Sequence, residues 1–436
     1  MKLQYMNRLP IALALSCGFA ALAVFPALED QVCATEPEPI VDAVMDWPWW
    51  RGPSRNGIAD ADQQPPLRWS DAENILWKSP IPGRGHGSPI VVGDQVFLAT
   101  ADHESETQSM LCFRRQTGEL LWQTTVHQGG FEKKGNAKSS LASSTPACDG
   151  RRIFINFLHD GAIYTTALSR EGKQLWQTKV TDFLVHQGFG SSPTVFQSLV
   201  IVSADNQGTG AIAGLDRADG KILWKQERPQ LPNYTSPIVL RVAGREQLLL
   251  TGCDLVSSYD PLTGKKLWEF PGSTTECVTS TVADGPLIFT SGGYPKNHLA
   301  AVKADGTGQV VWENKSRVYV PSLVARDGYL FGVLDAGVAM CWKADTGAEV
   351  WKTRLGGTFS SSPVLVGSHI FATNEAGRTF IFRAAPDGFQ PIVENRLGDE
   401  VFATPAICGN RIYMRVAVSE GTRRQEMLYC IGSDAK

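Results

Sequence analysis

The chain has 436 residues, 43% of them hydrophobic, with 42 Gly and 25 Pro, so it can bury a large core and must turn often. Its formal net charge of −3 leaves no basic footprint, which excludes nucleic acid as an expected partner. Charges of both signs are interspersed, with no long run of one sign.

Taken in chain order, Lys2 and Arg8 precede an apolar run over 11–25 that reads as an export signal and is too short to favour a membrane span. Residues 1–34 are expected to be this signal, with small residues permitting cleavage after Ala23 or Ala34. Cys17 is disfavoured as a lipid-attachment site, because Ala14 stands at its −3 position and the apolar run continues past it. The mature protein is therefore expected to be exported, in the periplasm or cell envelope, without a transmembrane segment.

Residues 35–72 read as an extended Trp- and Pro-rich arm. Its "DWPWWRGPSRNG" (46–57) is expected to pack along the outside of the last or first repeat of the following domain. The other reading is an exposed partner-binding segment, but clustered exposed Trp invites aggregation.

From residue 73 to 436 two signatures recur. A glycine stands four residues before a tryptophan in Gly118–Trp122, Gly172–Trp176, Gly220–Trp224, Gly264–Trp268, Gly308–Trp312 and Gly347–Trp351. A Ser/Thr-Pro frame recurs at Pro89, Pro146, Pro193, Pro237, Thr281, Ser322, Pro363 and Pro405, in steps of 57, 47, 44, 44, 41, 41 and 42 residues. Short runs rich in Val, Ile, Phe, Tyr and Trp separate these turn signals, so each unit predicts four strands, A to D, with the Gly in the C–D hairpin. The period is that of a propeller. The C-terminus supplies strands A, B and C and then stops, while "DAENILWKSPIPG" near residue 77 supplies a strand D with Trp77 in place. An all-β, eight-bladed propeller of four-stranded antiparallel blades follows, closed by the N-terminal strand. In blade seven Ile392 stands where Trp is expected, which predicts a looser wedge there.

Seven cysteines follow the signal region. Cys112, Cys341 and Cys430 fall at one repeated strand position and are expected as buried free thiols. Cys253 and Cys277 are the one pair worth weighing for a disulfide.

The repeated residues resemble the pyrroloquinoline-quinone (PQQ) repeat, A-x-D-x-x-T-G-x-x-x-W, of quinoprotein dehydrogenase propellers. The same repeat occurs in BamB, the non-enzymatic propeller lipoprotein of the outer-membrane β-barrel assembly machinery. The chain also resembles exported bacterial PQQ-like propellers that share "WWRGPSRNG" and "GNAKSSLASSTP" segments. The dehydrogenase resemblance implies PQQ and calcium in the channel, beneath an adjacent cysteine pair. This chain has no adjacent cysteines, and no motif places the calcium ligands, so no cofactor or metal is expected and no catalytic residue is assigned.

A G-x-G-x-x-A match at 208–213 lies between strands with no helix to receive a phosphate, and no serine-hydrolase, zincin or P-loop motif occurs. The D–A and B–C connections share one face, where Arg84, His86, His127, Lys138, His159, Asp160, His186, Asp205 and Arg228 map. Tyr234, Tyr319 and Phe402, just before strand A, are expected to ring the channel mouth. These residues are either polar caps for the loops or a recognition surface for a protein, peptide, glycan or small anion. The expected function is a monomeric scaffold or binding module, the alternative a quinoprotein-type oxidoreductase.

Overall fold

Among the described residues, short runs of apolar, β-prone residues make 32 strands, arranged in eight four-stranded antiparallel sheets. The computed structural model describes residues 39–131, 135–136, 138–421 and 423–433, and among these every regular element is a strand. The signal expected over 1–34, with Cys17 and both cleavage positions, lies outside the described residues, as do residues 35–38 of the arm.

Each blade is a meander. Blade one runs from strand A at Ile90–Val92 through Gln95–Asp102 and Thr107–Arg114 to strand D at Leu120–Gln128. Strands B and C are buried on both faces, while strand D alternates toward solvent, as expected for an outermost strand. Blade eight takes Ala406–Cys408, Arg411–Glu420 and Arg423–Ile431 from the C-terminus and Ile75–Ile81 from the other end of the domain. Trp77 pairs with Cys430 and Ser79 with Leu428, so the ring closes as the sequence predicts.

The Gly–Trp signature joins one blade to the next. The Trp77 indole N–H donates to Arg115 O at 2.9 Å, Trp122 to Arg170 O at 2.8 Å and Trp176 to Arg217 O at 3.1 Å. Trp312 and Trp351 reach Ala344 O and Ala385 O, each at 2.8 Å. In each case the acceptor belongs to the turn after strand C of the following blade. Blade four uses a relay: Trp268 donates to Gln247 Oε1, and Gln247 Nε2 donates to Ala304 O, both at 2.8 Å. Five of the indole rings lie against the hairpin glycine of the next blade, as Trp77 does against Gly118 and Trp312 against Gly347.

At blade seven the missing tryptophan has a substitute. Trp69 of the arm is buried with Phe371 and Ile381 of blade seven, Tyr413 of blade eight and the partly buried Ile392. Its ring stacks on Phe371, and its backbone N–H donates to Asn395 Oδ1 at 3.0 Å. The wedge expected to be loose is filled from outside the repeat.

The inner edge carries a second tie, which sequence reasoning did not separate from the Ser-Pro frame. Ser88 N–H donates to Thr145 Oγ1 of the next blade, Thr145 N–H to Ser192 Oγ, and Ser192 N–H to Ser236 Oγ. The pattern resumes from Ser280 to Ser322, to Ser362 and to Thr404. These six bonds, at 2.9 to 3.0 Å, form a hydroxyl belt around the channel. Ser322 is thus the counterpart of Ser88, and Leu323 stands in the proline place that the sequence reading gave to Ser322.

The arm does not run along the outer side of blades eight and one. It crosses the inner ends of the A strands instead. Trp47 bridges Val91 of blade one, Cys148 N–H of blade two donates to Pro48 O, and Arg55 donates to Val195 O of blade three. Trp50 Nε1 donates to Ser280 Oγ of blade five, and Ala59 N–H to Leu365 O of blade seven. Arg51, 1% exposed, donates to Leu323 O of blade six and Pro363 O of blade seven. Burial lowers the Arg51 pKa to about 9, which still leaves the guanidinium charged at neutral pH among backbone carbonyls.

Gly118 has φ of +74°, and a Cβ there would run into the Trp77 ring, whereas Gly328 at +79° faces open space. Gly118→Ala is expected to cost about 2–4 kcal/mol and Gly328→Ala about 1 kcal/mol, the first adding steric conflict to left-handed strain. Equilibrium urea denaturation of the two variants checks the difference.

Candidate functional site

The central channel is a blind cavity. Strand A enters from the D–A connection, passes the hydroxyl belt and ends at the arm, so the arm closes one end and the connections frame the other. The space between them measures about 610 Å³. Trp50 forms its floor, and Ser88, Thr145, Ser192, Ser236, Ser362 and Thr404 of the belt line its wall.

Two residues before each belt hydroxyl, the β period of two brings a second ring to the same wall. It includes His86, Tyr234 and Phe402, with small residues such as Ser143, Gly190 and Ser360 between them. His86 stacks on Phe402 at 4.2 Å, bridging blades one and eight. Burial first, then Arg84, Arg415 and Arg424, hold its pKa well below the usual histidine value.

Opposite that stack, Glu276 lines the cavity ahead of blade five. It accepts the Tyr319 hydroxyl at 3.2 Å and lies 3.2 Å from His186 Nε2. Burial and the Glu276 charge push the Tyr234 and Tyr319 hydroxyls up. Across the mouth, Lys138 from the long blade one–two connection pairs with Glu375 of blade seven at 2.7 Å. Ser360 Oγ donates to the same carboxylate at 2.7 Å.

The structure therefore divides the sequence candidates. His86, Lys138, His186, Tyr234 and Tyr319 come together at the cavity, with Phe402. Arg84 lies in an adjoining cavity of about 310 Å³, behind the segment that carries Asn136 and Ser139. His127 and His159 stack on each other at 4.2 Å beside Tyr164, away from the channel. Asp160 occupies a left-handed turn position, at φ of +45°. Asp205 and Arg228 are a fully buried pair at 3.0 Å, tied to Ser257 and Asn233, and do not reach the cavity. They cap loops.

Glu276 was missed. It stands four residues before its belt serine, a place where blade eight also carries an acid, Glu400, paired with Arg424, so the in-register hydroxyl frame alone does not single it out. Cys253 and Cys277 are both free, as are all seven described cysteines, so the disulfide weighed from sequence does not form. Among the described residues no cluster of three or more His, Cys, Asp or Glu side chains could hold a metal ion.

An eight-bladed ring with Gly–Trp ties between blades is a PQQ-like β-propeller. A family profile described as "Outer membrane protein assembly factor BamB" matches residues 69–182, 106–294 and 295–390, and the chain belongs to that family. Among curated relatives, the polyvinylalcohol dehydrogenase of Sphingopyxis sp. is 25% identical over 89% of this chain. This chain spans about half of that relative, 53% of its length. BamB of Burkholderia pseudomallei is 25% identical over 76% of this chain and 81% of its own. Solved structures share the fold. Quinohemoprotein alcohol dehydrogenase of Comamonas testosteroni matches 91% of this chain and 82% of its own, with a TM-score of 0.66 at 14% identity. BamB of Moraxella catarrhalis matches 83% of this chain and 98% of its own, with a TM-score of 0.58 at 15% identity.

Burial pushes the His127 pKa down to about 4 from 6.5, with His159 adding to the effect. The unfolded chain then takes up a proton that the folded chain refuses, so this contribution to stability is complete above pH 6.5 and lost as pH falls toward 4. Urea midpoints measured at pH 7 and pH 5 are expected to fall on acidification, and less so in His127→Phe, which keeps a ring against His159.

Proposed function

We propose that the protein is an exported, non-catalytic, BamB-like binding module of the cell envelope. Its recognition surface is the face framed by the D–A and B–C connections, and its partner a protein, peptide or glycan. One observation carries this reading: groups that meet at the mouth of that face contact one another, Lys138 with Glu375 and His186 and Tyr319 with Glu276. The cavity walls offer mainly hydroxyls and aromatic rings. That is a surface suited to recognition. Family membership and the Burkholderia BamB relative support it.

The second reading, a quinoprotein oxidoreductase, draws on the polyvinylalcohol dehydrogenase relative and on the position of the cavity in the channel. The donor set argues against it. PQQ carries three carboxyl groups, whereas this cavity presents the carboxylate of Glu276, its Lys138 is held in an ion pair with Glu375, and His186 Nε2 already contacts Glu276. Cys277, beside Glu276, is a buried free thiol. These residues do not fit PQQ.

Purified protein supplied with PQQ and calcium is expected to show no turnover of alcohols or sugars with an artificial electron acceptor; clear turnover overturns the proposal. Lys138→Ala with His186→Ala is expected to shift the melting temperature by under about 3 °C, since the lost pairs are partly exposed. The same double variant is expected to reduce partner capture by in-cell crosslinking. A large loss of melting temperature with capture intact would make these side chains structural.

A further inference from the structure

Glu276 is hard to account for by packing. It is 4% exposed, and its carboxylate faces a cavity rather than the core. Taking a carboxylate out of water costs several kcal/mol unless a partner charge compensates it. Its one ion-pair partner among the described residues is His186, charged only if protonated. Its other support is the neutral Tyr319 hydroxyl.

Three tyrosines, Tyr234, Tyr294 and Tyr319, line the same cavity, and the Tyr234 hydroxyl is buried beside the Gln187 backbone. An aromatic ring presents negative charge on its face, so rings gathered around a carboxylate attract a cation. Tyr319 already does so: Arg317, which does not line the cavity, lies 5.4 Å from its ring centroid. Behind the far wall Arg84, Arg415 and Arg424, the last two paired with Glu426 and Glu400, lie close enough to His86 to disfavour its protonation. A cation is therefore directed to the Glu276 side, and the His86–Phe402 stack is left for apolar contact.

We propose that this cavity binds a small organic cation, an alkyl- or quaternary ammonium compound. The charged head sits at Glu276 between Tyr234 and Tyr319, and the apolar body extends toward the His86–Phe402 stack. The volume, about 610 Å³, suits such a molecule, and closure by the arm admits it from the loop face alone. The proposal deepens the binding-module reading and rests on it.

Isothermal titration of the full chain with choline and with n-pentylamine, against the neutral isostere 3,3-dimethylbutan-1-ol, tests the charge requirement. At least one cation is expected to bind at least tenfold more tightly than the neutral isostere. Glu276→Gln is expected to weaken that cation at least tenfold while retaining a cooperative melt. Tyr319→Phe, which keeps the ring, is expected to weaken it less. Equal binding of the isostere, undiminished binding by Glu276→Gln, or no cation binding at millimolar concentration overturns the proposal. Should Glu276→Gln fail to fold, the comparison of cation with isostere on the unaltered chain decides. Partner crosslinking at the loop face that persists without amine binding sinks this inference alone and leaves the binding-module reading standing.

Discussion

The hydroxyl belt sets the geometry on which the rest of the molecule depends. A propeller has few ways to hold its blades at the axis, because the A strands are short and splay apart. Here a serine or threonine of one blade accepts the backbone N–H of the blade before it, a bond worth about 1 kcal/mol net and repeated around the axis. The same hydroxyls are the wall of the cavity. Structure and lining are one set of atoms, so a change in the belt alters both the ring and what the channel presents.

Outside the belt, the indole ties act at the greatest radius, where neighbouring blades are farthest apart. A large ring closes that gap, and its N–H satisfies a carbonyl that a turn would otherwise leave to water. The two sets of ties divide the work between the inner and outer edges of each wedge. Where the outer tie is missing, at Ile392, the chain recruits Trp69 from the arm. The arm is thus a component of the fold at two places, the seventh wedge and the channel floor.

Blade count, closure and the loop face were legible in the sequence because they rest on local, repeated signals: a positive-φ glycine, a tryptophan at fixed spacing, a proline before a short strand. The course of the arm was not, since its contacts with Val91, Val195, Ser280 and Leu365 depend on residues far apart in the chain and on carbonyls that have no sequence signature. The site was legible in part. Side chains within the register, such as His86, Tyr234 and Phe402, fell where the repeat placed them. Glu276 stands two residues further out, at a place where the blades carry no common residue type. Asp205 and Arg228 were misplaced because a buried ion pair and an exposed one look alike in sequence.

The closing strand and the arm precede every other part of the domain in the order of synthesis, yet their docking sites are among the last to exist. Ile75–Ile81 pairs with Arg423–Ile431, and Trp47, Trp50 and Arg51 need a ring of A strands to lie across. Until the final blade is made, the tryptophans at 47, 69 and 77 have no complete core to enter and remain together near one terminus as exposed apolar surface. Chaperones that hold unfolded chains bind such surface. A truncated chain keeps this mark permanently, and a complete one loses it in the step that seals the ring.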